Sequence, residues 1–547
     1  MSPRRGLQLF CPLAVIALLA LTLAPAALAK PKGFKYGVTA ADVTSDSAIL
    51  WAKATKQGKT YLQITHKGGF GACKAENAAA KVKAQKSNDN TVQFKLKGLD
   101  SNKSYSYRYC TTGGGRSAKG KFTTAPAPNQ NKTIHFALSG DQDARPLPGG
   151  TTPYWNNFEV WKQIISEKND FNVLMGDTIY SDTEVPGYTL ADVALSVAQK
   201  RAAYKLNLGQ KPWTKARGST AYYAHWDDHE FVNDFSRAES NFPLGVGDVN
   251  MSGEQLYKNG VKAFREYNPV SYNKKTGLYR SVRWGKNLEI FFLDERSFRS
   301  ASSDYTGICD NPAGSGNPDL APTAPQNVRN AFAAIAPPLA NPVPPACTAS
   351  INDPNRTMLG SAQVQKFEQA IKKSTATFKV IFNEVPIQQY YALPYDRWEG
   401  YEAERLALLH YLAANTKGAV FLTTDVHANM VNDARYNTLG GPGVQNSGID
   451  DITTGPIATE TYSGEINATL GTQSGGTLIH DLFLTPQPPN GVGMQCAATN
   501  QFSYAEVTVN KSQLRVDLLD RNGAPVSNTG DIDVPGPPCA SVVIPKP

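Results

Sequence analysis

The sequence predicts a small antiparallel β-sandwich followed by a larger layered α/β core, and three observations predict it. Between Tyr36 and Thr124 short strand-like runs alternate with turns. From Thr133 onward the pattern changes to apolar strand, polar loop, helix, strand. Clusters of Asp, Asn and His then fall directly after the apolar runs, where α/β sheets place their sites. With 547 residues, 41% apolar and 19% charged, the chain has material for more than one domain of roughly 150 residues. That composition excludes a disordered, collagen-like or coiled-coil chain. Lys and Arg number 55 against 47 Asp and Glu, a formal +8 with no long basic run, so charge alone names no partner.

Residues 1–29 read as a secretory leader: Arg4 and Arg5, an apolar stretch over 7–23, and Ala27-Leu28-Ala29 as a small-x-small cleavage site before Lys30. The paired arginines weakly resemble a twin-arginine export signal, used for proteins folded with their metal inserted. The expected destination is outside the cytoplasm: extracellular, periplasmic or in the cell envelope. Loss of Arg4 and Arg5 with no acid lowers the formal charge by two, to +6. Cys11 leaves too, and the remaining cysteines, at 73, 110, 309, 347, 496 and 539, form an even set suited to an oxidising compartment. About fifteen connectivities exist for such a set. The cysteines fall into sequence-local pairs, which favours Cys73–Cys110, Cys309–Cys347 and Cys496–Cys539. A cysteine metal site is disfavoured because no C-x-x-C spacing occurs, and no later window is apolar enough to span a membrane.

The sandwich, over 30–128, has strands expected at 47–52, 61–64, 92–96 and 105–109, and Ala125-Pro126-Ala127-Pro128 reads as a stiff boundary linker. The core, over 129–547, has strands expected at 134–139, 171–175, 221–225, 288–293, 378–382 and 419–423. Helices are expected near 155–167, 191–205, 253–267, 361–373 and 401–415. Nine prolines over 311–347 argue against any regular element there, so 300–350 reads as a surface insertion closed by a disulfide. After about residue 440 the chain turns Gly-, Thr- and Asn-rich and ends in a hairpin over 502–520.

Four polar clusters carry the chemistry: Ser139-Gly140-Asp141-Gln142-Asp143, Gly176-Asp177-Thr178-Ile179-Tyr180-Ser181-Asp182, the 226–234 run with Trp226-Asp227-Asp228-His229-Glu230 and Asn233, and Thr424-Asp425-Val426-His427-Ala428-Asn429. A single Asp or Asn after a strand is ordinarily a helix cap or turn residue. Four clusters at successive strand ends are not explained that way, because three acids beside His229 repel one another unless a cation offsets them.

The motifs G-D-x-x-Y (Gly176, Asp177, Tyr180), W-D-D-H-E (226–230), L-D-x-R (Leu293, Asp294, Arg296) and D-V-H (425–427) resemble the PhoD-type alkaline phosphatase and phosphodiesterase family, over roughly residues 133–440. The phrases at 44–52, 96–109 and 120–128 resemble fibronectin type III-like domains that precede the catalytic part of several secreted phosphatases. The resemblance implies a calcineurin-like metallophosphoesterase core related to the purple acid phosphatases, in which the Asp and Tyr of G-D-x-x-Y bind iron(III). Carried over by position, Asp177 bridges two metals and Tyr180 is a phenolate ligand. Asp228 and Asn233 belong to the middle motif, Asp425 and His427 to the last, and Asn383 stands where related enzymes place a further ligand. This chain departs from the family at Asp141, where a cysteine is usual. Asp141 instead resembles the first aspartate of the purple acid phosphatases, and a hard carboxylate suits iron(III) with calcium, or with zinc or manganese. Such a metal pair makes hydroxide available from water near neutral pH and holds the phosphate in line.

Next to Asp228, His229 is the candidate to stabilise developing charge or protonate the leaving oxygen; the alternative is that it orients a ligand carboxylate. Arg296 and Arg299 are candidates to grip phosphate, the alternative being a pair with Asp294 or Glu295. Other histidines, at 66, 135, 225, 410 and 480, read as structural. The aromatic run 388–398 walls either a substrate pocket or the insertion. The expected function is a secreted, metal-dependent phosphoesterase acting as a monomer on extracellular mono- or diesters, polyanionic nucleic acid, lipid head groups and teichoic acid included. The alternatives are a cell-envelope binding protein with a vestigial phosphatase fold and a hydrolase of phosphoanhydrides.

Overall fold

The structure, a computed structural model, describes residues 32–311, 316–334, 336–439, 445–471, 493–527 and 538–547. The leader expected over 1–29 and His480 lie outside them.

Seven strands make the N-terminal sandwich: β1 (Phe34–Ala41), β2 (Ser47–Ala54), β3 (Gly58–Thr65), β4 (Ala80–Ala84), β5 (Thr91–Lys97), β6 (Ser104–Thr111) and β7 (Gly120–Thr123). One sheet runs β4-β3-β6-β7 and the facing one β1-β2-β5. The Tyr109 hydroxyl ties the two layers by donating to Leu50 O at 2.7 Å. The residues 125–128 do not stand free as a linker: Ala125 is wholly buried, and Gly285 N donates to Pro126 O at 3.1 Å. The second sheet also continues into the core, because β1 pairs in parallel with the core strand β10 through Ala40↔Ala221 and Ala41↔Tyr222.

Core strands are β8 (Ile134–Ser139), β9 (Phe171–Met175), β10 (Ala221–His225), a small hairpin β11 (Phe242–Leu244) and β12 (Gly247–Val249), β13 (Arg280–Trp284), β14 (Leu288–Phe292), β15 (Phe378–Phe382), β16 (Ala419–Thr423), β17 (Asn429–Asn437), β18 (Gln445–Thr453), β19 (Met494–Ala498), β20 (Ser503–Val509), β21 (Gln513–Asp520) and β22 (Val542–Pro545). Helices are α1 (Glu159–Glu167), α2 (Val197–Asn207), α3 (Lys211–Arg217), α4 (Gly253–Tyr267), α5 (Gln326–Phe332), α6 (Pro345–Ile351), α7 (Ser361–Lys373), α8 (Glu402–Asn415) and α9 (Tyr462–Leu470). One sheet has the order β22-β21-β20-β8-β9-β10-β1-β2-β5 and the other β13-β14-β15-β16-β18-β17-β19.

Alternation builds the layers. In β9, Phe171, Val173 and Met175 face the second sheet while Leu174 faces helices, as period-2 side chains must. Rings interlock between the sheets, Phe136 with Phe382 at 6.1 Å and Phe171 with Trp284 at 4.6 Å. Trp161 of α1, Trp213 of α3 and Phe264 of α4 cover the outer face of the first sheet. Phe367 of α7 and Leu408 and Leu412 of α8 cover the second. The product is a helix–sheet–sheet–helix sandwich, and β8, β9, β10, β14, β15 and β16 end beside the polar clusters.

One expectation is corrected. The Pro-rich insertion does contain regular structure, α5 and α6, because proline is tolerated in a first helical turn and Pro345 stands at the start of α6. Of the two readings of the aromatic run, packing against the insertion is the one seen: Tyr395 packs with Cys309, Cys347 and Ile351, and Tyr390 and Tyr391 pack with Ala324, Val426 and Met430. The bridges are Cys73–Cys110, Cys309–Cys347 and Cys496–Cys539, with Cα separations of 5.6, 4.7 and 5.7 Å.

Candidate metal centre

Each cluster leaves its strand in a sharp turn that aims donor atoms at a common point. Asp141 (φ 61°), Asp177 (φ 42°), Asp425 (φ 71°) and His427 (φ 54°) all hold left-handed backbone, a conformation costing about 1–3 kcal/mol each that persists only where surroundings enforce it. The loop after β9 is held by Glu230, which accepts from Thr178 N at 2.7 Å and Ile179 N at 3.3 Å while also accepting from Asp227 N at 2.7 Å. Glu230 is therefore the clasp between two loops. Gly176 (φ 78°) is required there, since a Cβ would lie 2.7 Å from that of Asp227.

Ligand atoms of Asp141, Asp177 and His427 lie within 4.8 Å of one another, as do those of Asp177, Asp228 and His229, and those of Asp227, Asp228 and Asp425. Asp177 is common to the first two groups. The Tyr180 hydroxyl stands 2.7 Å from His427 Nε2, and His427 Nδ1 is held by Glu465 Oε1 of α9 at 2.5 Å. Asp141 Oδ1 accepts from Asp425 N at 3.3 Å, but its Oδ2 and the Asp227 Oδ2 are buried without a partner. Gly455 preserves the space before Asp141 Oδ2, where a Cβ would come within 2.7 Å.

Electrostatics agree with the geometry. Burial, followed by repulsion from Asp227, pushes the Asp141 carboxyl up to about 7 although His427 opposes it. Burial and the neighbouring Asp228 and Asp227 raise Asp177 well above the carboxylate range, and burial with Asp227 raises Asp425 likewise. Buried carboxylates crowded to this degree, with unpartnered oxygens aimed inward, are the donor set a hard cation satisfies. The residues present therefore fit a metal pair.

The imidazole of His229 stacks on the Tyr180 ring at 4.1 Å and its Nδ1 lies 2.7 Å from Asp182 Oδ1. Burial works against its charge, but Asp182, Asp177 and Asp228 outweigh it and hold the imidazolium well above its usual range. Burial also works to raise Asp182, and His229 outweighs it, keeping that carboxyl low.

Arg296 lies at the centre of a carboxylate cage and has no exposure. Its Nε meets Asp227, its Nη1 meets Asp396 at 2.7 Å and its Nη2 lies 3.3 Å from Asp425. It does not pair with the side chains of Asp294 or Glu295; Asp294 instead accepts from Leu278 N at 2.7 Å and Trp226 Nε1 at 3.1 Å. Arg299 Nη1 shares Asp396 at 2.6 Å. Asn383 follows β15, with its Nδ2 donating to Val385 O at 3.0 Å and its Oδ1 buried and unpartnered. Asn233 is half-buried, its backbone N donating to Asp182 Oδ2 at 2.6 Å. Sequence reasoning missed Asp396 and Glu465: the first is hidden in the aromatic run, the second in a helix without a motif.

Two stacked sheets carrying acid and histidine clusters that could hold a cation on one set of strand ends define a layered α/β protein. A family model described as PhoD-like phosphatase matches residues 150–518, and one described as PhoD-like phosphatase, N-terminal domain, matches residues 20–126. The chain belongs to the PhoD-like phosphatase family. It is 24% identical to alkaline phosphatase D of Bacillus subtilis (strain 168) over 433 residues, 72% of this chain but only 64% of that protein, less than two thirds of its length. The solved structure of PhoD superposes with a TM-score of 0.67 at 19% identity, over 96% of this chain and 92% of that one. The purple acid phosphatase PPD1 from yellow lupin (Lupinus luteus) seeds superposes with 0.52 at 13% identity, over 91% and 74%. These likenesses establish the expected fold.

Proposed function

We propose that this protein is a secreted, metal-dependent phosphoesterase of extracellular phosphate esters. The observation that carries the proposal is the convergence of Asp141, Asp177, Tyr180, Asp228, Asp425 and His427 from separate strand ends, with buried carboxylate oxygens left unpartnered. Asp141, Asp177, Tyr180 and His427 would hold iron(III), and Asp177, Asp228 and Asp425, with Asn233 and Asn383 as further oxygen donors, would hold calcium, zinc or manganese. Bound there, the pair supplies Lewis acidity toward phosphate oxygens and acidifies water.

The chain's own groups do the rest. Asp182 fixes the ring of His229 through Nδ1, which leaves a proton on Nε2 for the departing oxygen. Arg296 offsets the carboxylates around it; its N–H groups are already turned to Asp227, Asp396 and Asp425. With both Arg296 and Arg299 committed to Asp396, few cations remain to grip a dianionic monoester, which supports diesters as the preferred substrates. The disulfides suit an oxidising destination, and among the described residues no helix is long and apolar enough to cross a membrane.

Elemental analysis and hydrolysis of bis(p-nitrophenyl) phosphate by the purified chain and by Asp177→Asn test this. The parent is expected to hold metal stoichiometrically, and the variant to lose metal and at least about a hundredfold in rate, the scale of a preorganised electrostatic contact. Undiminished hydrolysis by Asp177→Asn overturns the mechanism. A parent that binds no added metal transfers the assignment to a cell-envelope binding protein, and hydrolysis confined to phosphoanhydrides in a substrate panel replaces the ester reading.

A further inference from the structure

A cleft of about 850 Å³ runs between the N-terminal sandwich and α4, away from the metal centre. Its cations are Lys83, Arg237, Lys258, Lys262, Arg265 and Lys274. Its acids are Glu254 and Glu266, so the lining carries a net of four positive charges, half of the chain's formal +8. The two acids do not neutralise it: Glu254 is shared by Arg237 and Lys258, and Glu266 by Lys262 and Arg201.

Lys258, Lys262 and Arg265 follow one another at i, i+4 and i+7, so they lie along one face of α4 and extend over about 10 Å at 1.5 Å per residue. Lys83 lies on β4 across the groove. A single phosphate engages one or two such groups; a row of this length matches repeated anions on an extended chain. Aromatic faces support the guanidiniums, with Arg237 4.6 Å over Tyr257 and Arg265 4.6 Å over Tyr272. Tyr257 Oη lies 2.9 Å from Ser297 Oγ, next in sequence to Arg296, and Arg237 follows Asp234 on the loop that carries Asp228.

We infer that this groove binds a linear polyanion with repeating phosphate groups. The inference rests on the phosphoesterase reading of the metal centre for the phosphate chemistry of the ligand, though binding in the groove does not require turnover. Lys258 and Lys262 are well exposed, at 63% and 47% of their side chains; the Lys258–Glu254 pair is of the surface kind that contributes little to stability, and the buried Glu266 keeps Arg201, with Nε at 2.6 Å, when Lys262 is neutralised. Neutralising them is expected to leave the fold intact.

The test is fluorescence anisotropy of a fluorescein-labelled inorganic polyphosphate chain with the metal-loaded protein, read immediately after mixing over a range of salt concentrations. The parent is compared with Lys258→Gln/Lys262→Gln, and a polyglutamate of similar length serves as control. The double variant is expected to bind about tenfold more weakly and to lose about two from the slope of log affinity against log salt. Its melting temperature and its hydrolysis of bis(p-nitrophenyl) phosphate should match the parent's. Unchanged affinity and salt slope in the variant, or equal binding of polyglutamate, overturns the inference. Polyphosphate binding that responds to the variant in a protein that hydrolyses no ester upholds the groove while sinking the phosphoesterase reading.

Discussion

Lys200 shows what a single residue contributes to this centre without touching a ligand. Wholly buried on α2, it donates from Nζ to Ser181 Oγ at 2.7 Å and Phe231 O at 2.9 Å, pinning the loop after β9 to the loop after β10. Burial lowers its pKa to about 7, with Asp182 and Glu230 only partly restoring the charge. The native amine therefore loses its proton near pH 7, whereas the unfolded chain keeps it up to about 10.4. Between those values the unfolded state binds more protons, so this group makes stability rise with pH from about 7 to about 10. Lys200→Met is expected to flatten that part of the stability–pH curve relative to the parent, measured by urea unfolding at half-unit intervals. Parallel curves would show that Lys200 is charged in the native protein.

At the scale of the element, α4 is both the support of the W-D-D-H-E loop and a wall of the basic groove. Trp226 packs its ring 5.3 Å from Phe264, and Phe231 stacks 5.7 Å from Tyr257. Gly260 makes that approach possible, since a Cβ there would lie 2.4 Å from the Phe231 ring and 2.9 Å from Glu230 O. Alanine in place of glycine inside a helix ordinarily stabilises by about 1 kcal/mol. Here overpacking costs about 1–3 kcal/mol, so Gly260→Ala is expected to be net destabilising. It also pushes on the loop bearing Asp228 and His229, so metal affinity measured by isothermal titration calorimetry should fall as well. A variant more stable than the parent with unaltered metal binding would show that the helix shifts freely away from the loop.

For the whole molecule, the sandwich and the core share one sheet, and the seam is polar as well as hydrogen-bonded. Trp51 Nε1 donates to Glu266 O at 2.8 Å, and buried Arg280 of β13 meets Asp42 Oδ1 at 2.9 Å. Removing residues 30–128 would strip a neighbour from β10 and leave Arg280 buried without Asp42, a loss of about 3–5 kcal/mol for a broken buried pair. The chain from residue 30 onward is expected to unfold in one calorimetric transition, and a chain starting at 129 to be insoluble or to melt well below it. A soluble truncated core with an undiminished melting temperature would make the shared sheet incidental.

Much of this was legible in the sequence because local rules dominate there. Strands such as Phe171–Met175 are short apolar runs, α4 carries its apolar stripe, and each donor motif sits at a strand end. The six pairing cysteines joined as their sequence proximity favoured. Legible, too, were the fold class and the family. Tertiary structure alone decided the partners. Asp396 and Glu465 arrive from distant segments with no motif to mark them, Glu230 proves to be a clasp, and Arg296 is caged by acids up to 129 positions away. Nor does any local pattern reveal that β1 completes the core sheet or that α4 sets its cations opposite Lys83. Periodicity and turn chemistry act over a few residues, whereas a carboxylate's charge and partners depend on which strand ends the packed sheets bring together.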